Sequence, residues 1–381
     1  MLVAALFASL PAIPQSGPVT ASEFVFETAP FASAHASTIV DTSGGLVTAW
    51  FGGTREGAAD VGIWLSRRVA GAWTRPIEVA TGVQADGVRH PCWNPVLFYA
   101  PDQTLTLFYK VGPSPQTWWG MARTSRDNGR TWSEARRLPD GILGPIKNKP
   151  VRLADGTLLA GSSTESTGSP SRWRVHFERS TDGGLPWTSS VPQAPADGLQ
   201  IDAIQPSILV HPGGKFQAVG RSRSGRIFET WSSDGGRTWT PLALTLLPNP
   251  NSGLDAVTLR DGRHLIVYNH TPRGRSPLNV AISRDGKVWE AALVLESDPG
   301  EYSYPAVIQS GDGHVHVTYT WKRQRIKHVE IDPARLTPVP IVSEKPDFSG
   351  RWVLASVQSG PDVPRALTVH VSRRSDHIPV G

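Results

Sequence analysis

The chain has 381 residues, with 38 basic and 33 acidic side chains, one cysteine and 14 tryptophans. The single thiol excludes a disulfide framework and a cysteine-based zinc site, because each needs at least two thiols. The basic residues are scattered and do not form the stripe that binds nucleic acid. No apolar stretch reaches the roughly 20 residues of a membrane-spanning helix. The 37 glycines and 33 prolines make turns frequent and favour an all-β chain.

The N-terminal residues 2–13 are apolar, and small residues follow at positions 19–22. This pattern is typical of a secretory leader, although no lysine or arginine precedes the apolar stretch. We therefore predict a leader over residues 1–21 and a secreted or periplasmic location.

A short motif that starts with Ser-x-Asp and ends with Trp recurs along the chain. Copies span residues 125–132, 180–187, 232–239 and 283–289, and a degraded copy without its Asp spans 66–73. Their first residues are 51 to 59 positions apart, which is the size of a four-stranded propeller blade. The Asp carboxylate can accept backbone N–H bonds, and the Trp can pack between sheets. This Asp box is therefore predicted to be a folding device on the turn face of each blade.

Alternating strands between the Asp boxes meet at six hairpin turns rich in Gly and Asp, which predicts six blades. The turns are at residues 41–45, 100–103, 153–156, 211–214, 260–262 and 310–313. We predict an all-β fold, a six-bladed β-propeller over residues 22–332; the alternative is a seven-bladed propeller that uses the tail. Residues 333–381 contain strand-like runs at 352–357 and 366–371 and are predicted to form a short C-terminal β extension.

In a propeller, innermost strands start and second strands end on the face opposite the Asp boxes, around a central cavity. Polar or charged residues dominate both sets of positions. The strand starts carry His35, Trp93, Asn94, Lys147, Lys149, Gln205, Asp255 and Tyr304. The strand ends carry Arg55, Glu56, Lys110, Glu165, Arg221, Arg223, Asn269, Arg275 and Arg323, with Trp321 beside them.

Such a cavity suits an acidic glycan as the binding partner. Arginine forks bind carboxylates bidentately, and tryptophan faces stack on sugar rings. Trp93 and Trp321 are the predicted stacking residues. We expect no cofactor, no metal site and a monomer, and we interpret His314 and His316 as surface or hydrogen-bonded groups.

The Asp boxes and five further phrases resemble the BNR-repeat, sialidase-like propellers. The phrases are His35-Ala-Ser-Thr-Ile39, Phe51-Gly-Gly-Thr-Arg-Glu-Gly57, Cys92-Trp-Asn-Pro95, Ile146-Lys-Asn-Lys-Pro150 and Pro248-Asn-Pro-Asn-Ser252. The resemblance implies a tyrosine nucleophile paired with a glutamate, an aspartate acid/base and three arginines on the substrate carboxylate. Tyrosine suits this role because a carboxylate nucleophile would be repelled by the substrate's own carboxylate. By position, Tyr304 resembles the nucleophile, Asp60 the acid/base, and Arg275 with Arg221 or Arg223 two of the arginines.

Two positions depart from this pattern. His35 stands where the first arginine is expected, and Gln205 stands where the glutamate partner of the tyrosine is expected. Gln205 cannot take a proton from Tyr304. Either Glu301, Glu165 or Glu178 supplies that carboxylate, or the reaction is not the hydrolysis of sialic acid.

The sequence therefore favours an exo-acting glycoside hydrolase on a terminal acidic sugar, with Tyr304, Asp60, His35 and Glu301 as candidate catalytic residues. One alternative is a polysaccharide lyase that cleaves next to a uronic acid. In that case His35 or Tyr304 abstracts the proton, and Arg223 or Lys149 neutralises the carboxylate. The other alternative is a glycan-binding propeller without catalysis.

Overall fold

Six antiparallel sheets follow one another along the chain as blades. The computed structural model describes residues 17–181, 186–191, 193–195, 200–341, 352–354 and 371–373. Strand β1 spans Val19–Phe24, and blade 1 comprises β2 (Ser33–Thr42), β3 (Gly45–Gly53), β4 (Gly62–Val69), β5 (Ala72–Trp73) and β6 (Ile77–Ala80). Blade 2 comprises β7 (Cys92–Tyr99), β8 (Leu105–Val111), β9 (Trp119–Ser125) and β10 (Arg136–Arg137).

Blades 3 to 6 repeat this arrangement. Blade 3 comprises β11 (Val151–Arg152), β12 (Leu158–Glu165), β13 (Trp173–Ser180) and β14 (Trp187–Ser189). Blade 4 comprises β15 (Ala203–His211), β16 (Lys215–Ser222), β17 (Arg226–Ser232) and β18 (Ala243–Pro248). Blade 5 comprises β19 (Asp255–Thr258), β20 (His264–Tyr268), β21 (Leu278–Ser283) and β22 (Trp289–Glu296), and blade 6 comprises β23 (Tyr302–Gln309), β24 (Val315–Trp321) and β25 (Arg325–Ile331).

The six-bladed propeller that the Asp-box period predicts is confirmed. The innermost strand β23 of blade 6 lies against β2 of blade 1, so the sheets close into a ring. Short 3-10 turns at Pro212–Gly214 and Pro333–Arg335 are the helical elements of the described residues. None of the helices described is long and apolar enough to cross a membrane.

The ring is closed by the N-terminal strand. Strand β1 pairs with β25 from Val19 opposite Ile331 to Phe24 opposite Lys327, and so forms the outermost strand of blade 6. Residues 19–22, which the sequence suggests as the end of a leader, lie in this strand. Residues 1–16 lie outside the described part of the chain, and the bounds 1–21, 22–332 and 333–381 stay predictions.

The described part of the chain beyond blade 6 contains three short strands. Strand β26 (Val339–Pro340) adds to β22 at the outer edge of blade 5. In a separate C-terminal unit of residues 342–381, β27 (Trp352–Leu354) pairs antiparallel with β28 (Val371–Arg373). The rest of the predicted C-terminal extension after residue 341 lies outside the described residues.

The Asp boxes act as the predicted turn device. In the box of blade 4, Asp234 Oδ1 accepts hydrogen bonds from the backbone N–H groups of Arg237 at 3.0 Å and Thr238 at 2.9 Å. The Trp239 ring stacks on Phe177 of blade 3 with centroids 3.7 Å apart. The Trp187 ring likewise lies edge-on to Phe108 of blade 2, with centroids 5.8 Å apart, so these two tryptophans link their turns to the neighbouring blade. The box at 180–187 includes residues 182–185, which lie outside the described residues.

The core lies between the blades, because alternate side chains of each strand face the next sheet. Between blades 1 and 2, for example, the buried cluster includes Val47, Leu65, Leu97 and Tyr109. Full burial of an aliphatic side chain contributes roughly 1.5–3 kcal/mol, so these faces hold the blades in place.

A β-bulge recurs where four innermost strands start. The register with the second strand shifts at residues 35–38, 93–96, 204–207 and 303–306. Within these shifts Ala36, Asn94, Gln205 and Tyr304 have φ of 56°, 38°, 60° and 50°. Positive φ is uncommon for residues other than glycine, and bulges re-aim side chains near functional sites. The bulges place Gln205 and Tyr304 side by side at the centre of the ring.

Candidate active site

Tyr304 lies at the centre of the cavity face, and its hydroxyl is surrounded by nitrogen donors. Arg221 Nη1 donates to Tyr304 Oη at 2.5 Å, and Gln205 Nε2 donates at 3.4 Å. Arg221 Nε is in turn held by Asn251 Oδ1 at 3.0 Å. Lys147 Nζ and the guanidinium of Arg275 lie 5.8 and 5.7 Å from the centroid of the Tyr304 ring. The phenolic oxygen therefore sits in a positively charged environment.

Lys147 and Asn148 hold the backbone under this cluster. Lys147 Nζ donates to the Pro305 carbonyl, to the Leu254 carbonyl at 3.0 Å and to Asn148 Oδ1 at 2.9 Å. Asn148 Nδ2 donates to the Gln205 carbonyl at 3.1 Å. Burial lowers the pKa of Lys147 to about 7. The loop before blade 3 thus fixes the two bulges that carry Gln205 and Tyr304.

His35 lies against Tyr304 and is buried, with only 1% of its surface exposed. Its ring centroid is 4.2 Å from that of Tyr304, and its Nδ1 is 2.8 Å from Thr320 Oγ1. Burial, reinforced by nearby Arg323 and Arg275, holds the pKa of His35 well below its usual range. The ring is therefore neutral at pH 7. His35 Nε2 is buried and has no hydrogen-bond partner among the described residues.

Glu301 joins two arginines at the edge of the cavity. It accepts from Arg275 Nη1 at 2.8 Å, from Arg323 Nε at 2.6 Å and from Ser303 Oγ at 3.1 Å. Burial would raise the pKa of Glu301, but Arg323 and Arg275 outweigh it and the pKa is lowered. Arg323 Nη1 also donates to Glu56 Oε2 at 2.5 Å. The predicted residues Glu56, Arg275, Glu301 and Arg323 thus form one network.

Asp60 lies in the loop between β3 and β4 and is exposed to solvent. Its Oδ2 accepts from the Thr54 hydroxyl at 2.6 Å and from the Thr54 backbone N–H at 2.8 Å. These hydrogen bonds, first that of the Thr54 side chain, lower the pKa of Asp60.

Arg221 and Arg223 have different surroundings. Arg223 Nη1 donates to the Ser171 carbonyl at 2.5 Å, and its guanidinium lies 4.0 Å from the centroid of the Trp173 ring. Arg221 lies 5.1 Å from the same ring while it contacts Tyr304. Trp173 Nε1 donates to Glu165 Oε2 at 3.0 Å. Trp173 was not predicted, although its place at the start of a third strand on the cavity face could have indicated it.

Several predicted residues support the walls of the cavity. Lys149 Nζ pairs with Asp255 Oδ2 at 2.9 Å, and Asp255 also accepts from Ser207 Oγ at 2.7 Å. Asn269 Nδ2 donates to the carbonyls of Pro277 and Tyr302, each at 2.9 Å.

Lys110 and Glu178 lie between blades 2 and 3, away from Tyr304. Lys110 is fully buried and donates to the Pro145 carbonyl, and burial lowers its pKa to about 7. Glu178 accepts from the backbone N–H groups of Leu143 and Gly144. Neither Glu178, Glu165 nor Glu301 bonds to the Tyr304 hydroxyl.

The two predicted stacking residues also differ. Trp93 is 7% exposed, and its ring lies 6.2 Å from Phe51, which contacts His35. Trp321 packs edge-on against Phe24 of β1 at 5.2 Å, with Lys322 Nζ 4.7 Å from its ring centroid. Asn94 is buried within its bulge, and Arg55 is exposed next to Glu56.

Among the described residues no group of three or more His, Cys, Asp or Glu side chains is arranged to hold a metal ion. His316 is hydrogen-bonded, with its Nδ1 3.0 Å from His328 Nε2 and its Nε2 2.9 Å from Ser310 Oγ. His314 Nδ1 lies 3.5 Å from Asp312 Oδ1.

Comparison with known families supports the fold described above, a closed ring of blades with Asp boxes. The model of the BNR repeat-like domain matches residues 44–317. The chain belongs to the BNR repeat-like family. No curated protein matches this BNR-repeat propeller significantly.

Solved structures share the fold of the BNR-repeat propeller at low identity. A Dyadobacter fermentans protein of unknown function is 19% identical with a TM-score of 0.69, over 84% of this chain and 99% of its own. The Hadza microbial sialidase Hz136 is 18% identical with a TM-score of 0.66, over 80% of this chain and 66% of its own. The Ruminococcus gnavus intramolecular trans-sialidase is 14% identical with a TM-score of 0.64, over 84% of this chain and 99% of its own.

Proposed function

We propose that this protein is a glycoside hydrolase that removes a terminal sugar bearing a carboxylate, with Tyr304 as the nucleophile. The observation that carries the proposal is the 2.5 Å hydrogen bond from Arg221 Nη1 to Tyr304 Oη, with Lys147 and Arg275 close to the same ring. An arginine donor stabilises negative charge on the oxygen it contacts. The sialidase neighbours supply the class of reaction by analogy.

The arginines around Tyr304 suit recognition of a carboxylate. The guanidinium groups of Arg221 and Arg275 each lie 5.7 Å from the centroid of the Tyr304 ring. Arg275 bonds to Glu301 and Ser303 through Nη1, and its other N–H groups, which have no hydrogen-bond partner among the described residues, are available to a ligand. A carboxylate held by both arginines would place the attached anomeric carbon beside Tyr304 Oη.

In the proposed reaction, Tyr304 gives its phenolic proton to solvent and Oη bonds to the anomeric carbon as the glycosidic C–O bond breaks; the Tyr304 oxygen takes a proton back from solvent when water displaces it. Asp60 is the proposed acid that protonates the leaving oxygen, and it then takes a proton from the water that displaces Tyr304. The Thr54 hydrogen bonds lower the pKa of Asp60, so the protonated form that the acid step needs becomes more abundant as pH falls toward that pKa.

Product analysis in heavy-oxygen water tests the proposal. The protein is incubated with sialosides and with uronate-containing oligosaccharides, and the products are analysed by mass. Hydrolysis puts one heavy oxygen into the freed acidic sugar. We expect Tyr304→Phe to lower kcat by at least about 10²-fold, because the nucleophile is lost. Tyr99→Phe, whose hydroxyl contacts Ser43 in a hairpin turn, is the matched control.

A second pair of variants tests the carboxylate site. Arg221→Lys is expected to weaken turnover strongly, because it removes the guanidinium that bonds to Tyr304. Arg223→Lys is expected to have the smaller effect, because its guanidinium bonds to Ser171 and not to Tyr304.

An unsaturated uronate product without heavy oxygen would instead identify a lyase. Glycan binding without turnover, unchanged in Tyr304→Phe, would identify a binding protein and overturn the proposal.

A further inference from the structure

The loop before blade 3 lies inside the molecule, so its backbone needs hydrogen-bond partners from the protein. Residues 143–148, here called the strap, lie between β10 and β11 and form no strand, and residues 144–148 are buried. A buried loop carries backbone N–H and C=O groups that water cannot reach, and leaving them unpaired is costly. The groups that pair with the strap therefore show which parts of the molecule it connects.

One end of the strap is held by two ionisable side chains, Glu178 and Lys110, each with 0% of its surface exposed. Glu178 accepts from the backbone N–H of Leu143 at 3.0 Å through Oε1 and from that of Gly144 at 2.6 Å through Oε2. Lys110 Nζ donates to the Pro145 carbonyl. The proposed hydrolysis uses neither side chain.

The other end of the strap holds the two bulges at the centre of the ring. Lys147 Nζ donates to the carbonyl of Pro305, the residue that follows Tyr304 in β23. Asn148 Nδ2 donates to the Gln205 carbonyl at 3.1 Å. Tyr304 and Gln205 have φ of 50° and 60°, and such backbone persists only where surrounding contacts impose it. The strap supplies a contact to each bulge.

Strand β12 of blade 3 connects the strap to the same region from the side. The Gly161 carbonyl accepts from the backbone N–H of Ile146 at 3.1 Å. A Cβ atom at Gly161 would lie 2.6 Å from the Pro206 carbonyl oxygen, so this close approach requires glycine. Ser163 Oγ accepts from the Gln205 backbone N–H at 3.2 Å. Strap and strand together hold both backbone polar groups of Gln205.

We propose that Glu178, together with Lys110, is a positioning residue for Tyr304 and acts through the strap. The inference rests on the proposed function, in which Tyr304 Oη is the attacking atom. Glu178 thus serves Tyr304 through the backbone and not as a proton acceptor for its hydroxyl. Glu178→Gln leaves one acceptor oxygen for two backbone N–H groups, so one of them loses its partner and the strap shifts.

Fluorine NMR tests this link without any catalysis. The six tyrosines of the full chain are replaced by 3-fluorotyrosine, and the Tyr304 resonance is assigned as the one that disappears in Tyr304→Phe. In Glu178→Gln the Tyr304 resonance is expected to move by more than its linewidth. A Tyr304 resonance that keeps its position in Glu178→Gln would overturn the inference.

Glu296→Gln is the matched control, because Glu296 also bonds to two groups but lies in blade 5. It accepts from Tyr319 Oη at 2.7 Å and from Lys327 Nζ at 2.6 Å. This variant is expected to move the Tyr319 resonance and to leave that of Tyr304 in place. Equal displacement of the Tyr304 resonance by Glu178→Gln and Glu296→Gln would indicate general loosening of the ring and overturn the inference.

A double variant keeps the test decisive where Glu178→Gln does not fold. Lys110→Met combined with Glu178→Gln removes both ionisable groups together, so neither remains buried without its partner. The Tyr304 resonance of the double variant is expected to move as well. A folded double variant whose Tyr304 resonance matches that of the unaltered protein would overturn the inference.

Kinetics separates this inference from the proposed function. In Glu178→Gln we expect kcat to fall at least about tenfold and KM to change less than about twofold, because Tyr304 is displaced while Asn251 still holds Arg221. An unchanged kcat, or a higher KM alone, would overturn the positioning role. If the unaltered protein hydrolyses no substrate but the Tyr304 resonance moves as expected, the proposed function fails and the link from Glu178 to Tyr304 stands.

Discussion

The candidate active site is arranged around one hydroxyl group. Tyr304 Oη contacts Arg221 and Gln205, and no carboxylate of the described residues bonds to it. Residues in unfavourable φ/ψ regions cost of order 1–3 kcal/mol each. Lys147 and Asn148 offset that cost at Tyr304 and Gln205 by bonding to the carbonyls of Pro305 and Gln205.

A carboxylate at position 205 is expected to speed turnover. Gln205→Glu places an acceptor where Gln205 Nε2 now lies 3.4 Å from Tyr304 Oη, so the phenolic proton gains a base. General-base catalysis contributes typically about 10²-fold or more, and we expect kcat to rise by at least about tenfold. The measurement is kcat across pH, with surface Gln103→Glu as control. A lower kcat in Gln205→Glu would show that Tyr304 needs no such base.

At the scale of the blades, two pairs of histidines lie near the hairpin turns. The rings of His211 and His264 are 4.1 Å apart between blades 4 and 5, and His316 contacts His328 in blade 6. Burial, with the neighbouring histidine second, lowers the pKa of His264 and of His316 to about 4. Glu330 and Asp312 oppose this shift at His316, and Asp285 opposes it at His264.

His264 and His316 are expected to make the fold acid-sensitive. Because the pKa of His264 and of His316 is lower in the folded than in the unfolded chain, protons bind preferentially to the unfolded state. Their contribution is intact above about pH 6.5, the ordinary histidine pKa, and falls as pH drops toward 4. The Tm, measured by thermal unfolding at pH values from 7 to 4.5, reports this loss of stability.

His316→Gln is expected to flatten this dependence of Tm on pH. His314→Gln, two residues away beside the turn, is the control and should keep the slope of the unaltered protein. Parallel plots of Tm against pH for both variants and the unaltered protein would show that His316 does not cause the acid sensitivity.

At the scale of the whole molecule, stability depends on how the ring closes. Strand β1 supplies the fourth strand of blade 6, and Glu23 in it accepts from Trp73 Nε1 of blade 1 at 3.1 Å. Glu23 also pairs with Arg68 at 3.2 Å and contacts His328 at 3.2 Å. One short strand therefore connects the last blade to the first.

Removal of β1 is expected to weaken the whole ring. A chain that starts at residue 25 leaves the edge of β25 unpaired and removes the contacts of Glu23. A chain that starts at residue 17 keeps β1 and is the matched control. Calorimetry should show a Tm lower by several degrees, and an aggregation-prone protein, for the first chain alone. Equal melting curves would contradict closure by β1.

The sequence by itself predicted the six blades, the Asp-box turns and the cationic character of the cavity face. Those features depend on local chemistry, since the Asp boxes begin 51 to 59 positions apart and a hairpin turn lies between successive boxes. The same periodicity also brought Gln205, Arg221, Arg275 and Tyr304 to one face. The periodicity could not show that Arg221, and not Arg223, contacts Tyr304, because the two arginines lie two positions apart at the end of one strand.

The tertiary structure alone decided which of these residues touch. The bulges at Gln205 and Tyr304, the position of His35 against the Tyr304 ring and the packing of Trp321 on Phe24 join residues 99 to 297 positions apart. Such contacts depend on ring closure and on side-chain packing between blades, which no local pattern encodes. The physical reason is that a propeller repeats its turns locally but assembles its centre from all six blades at once.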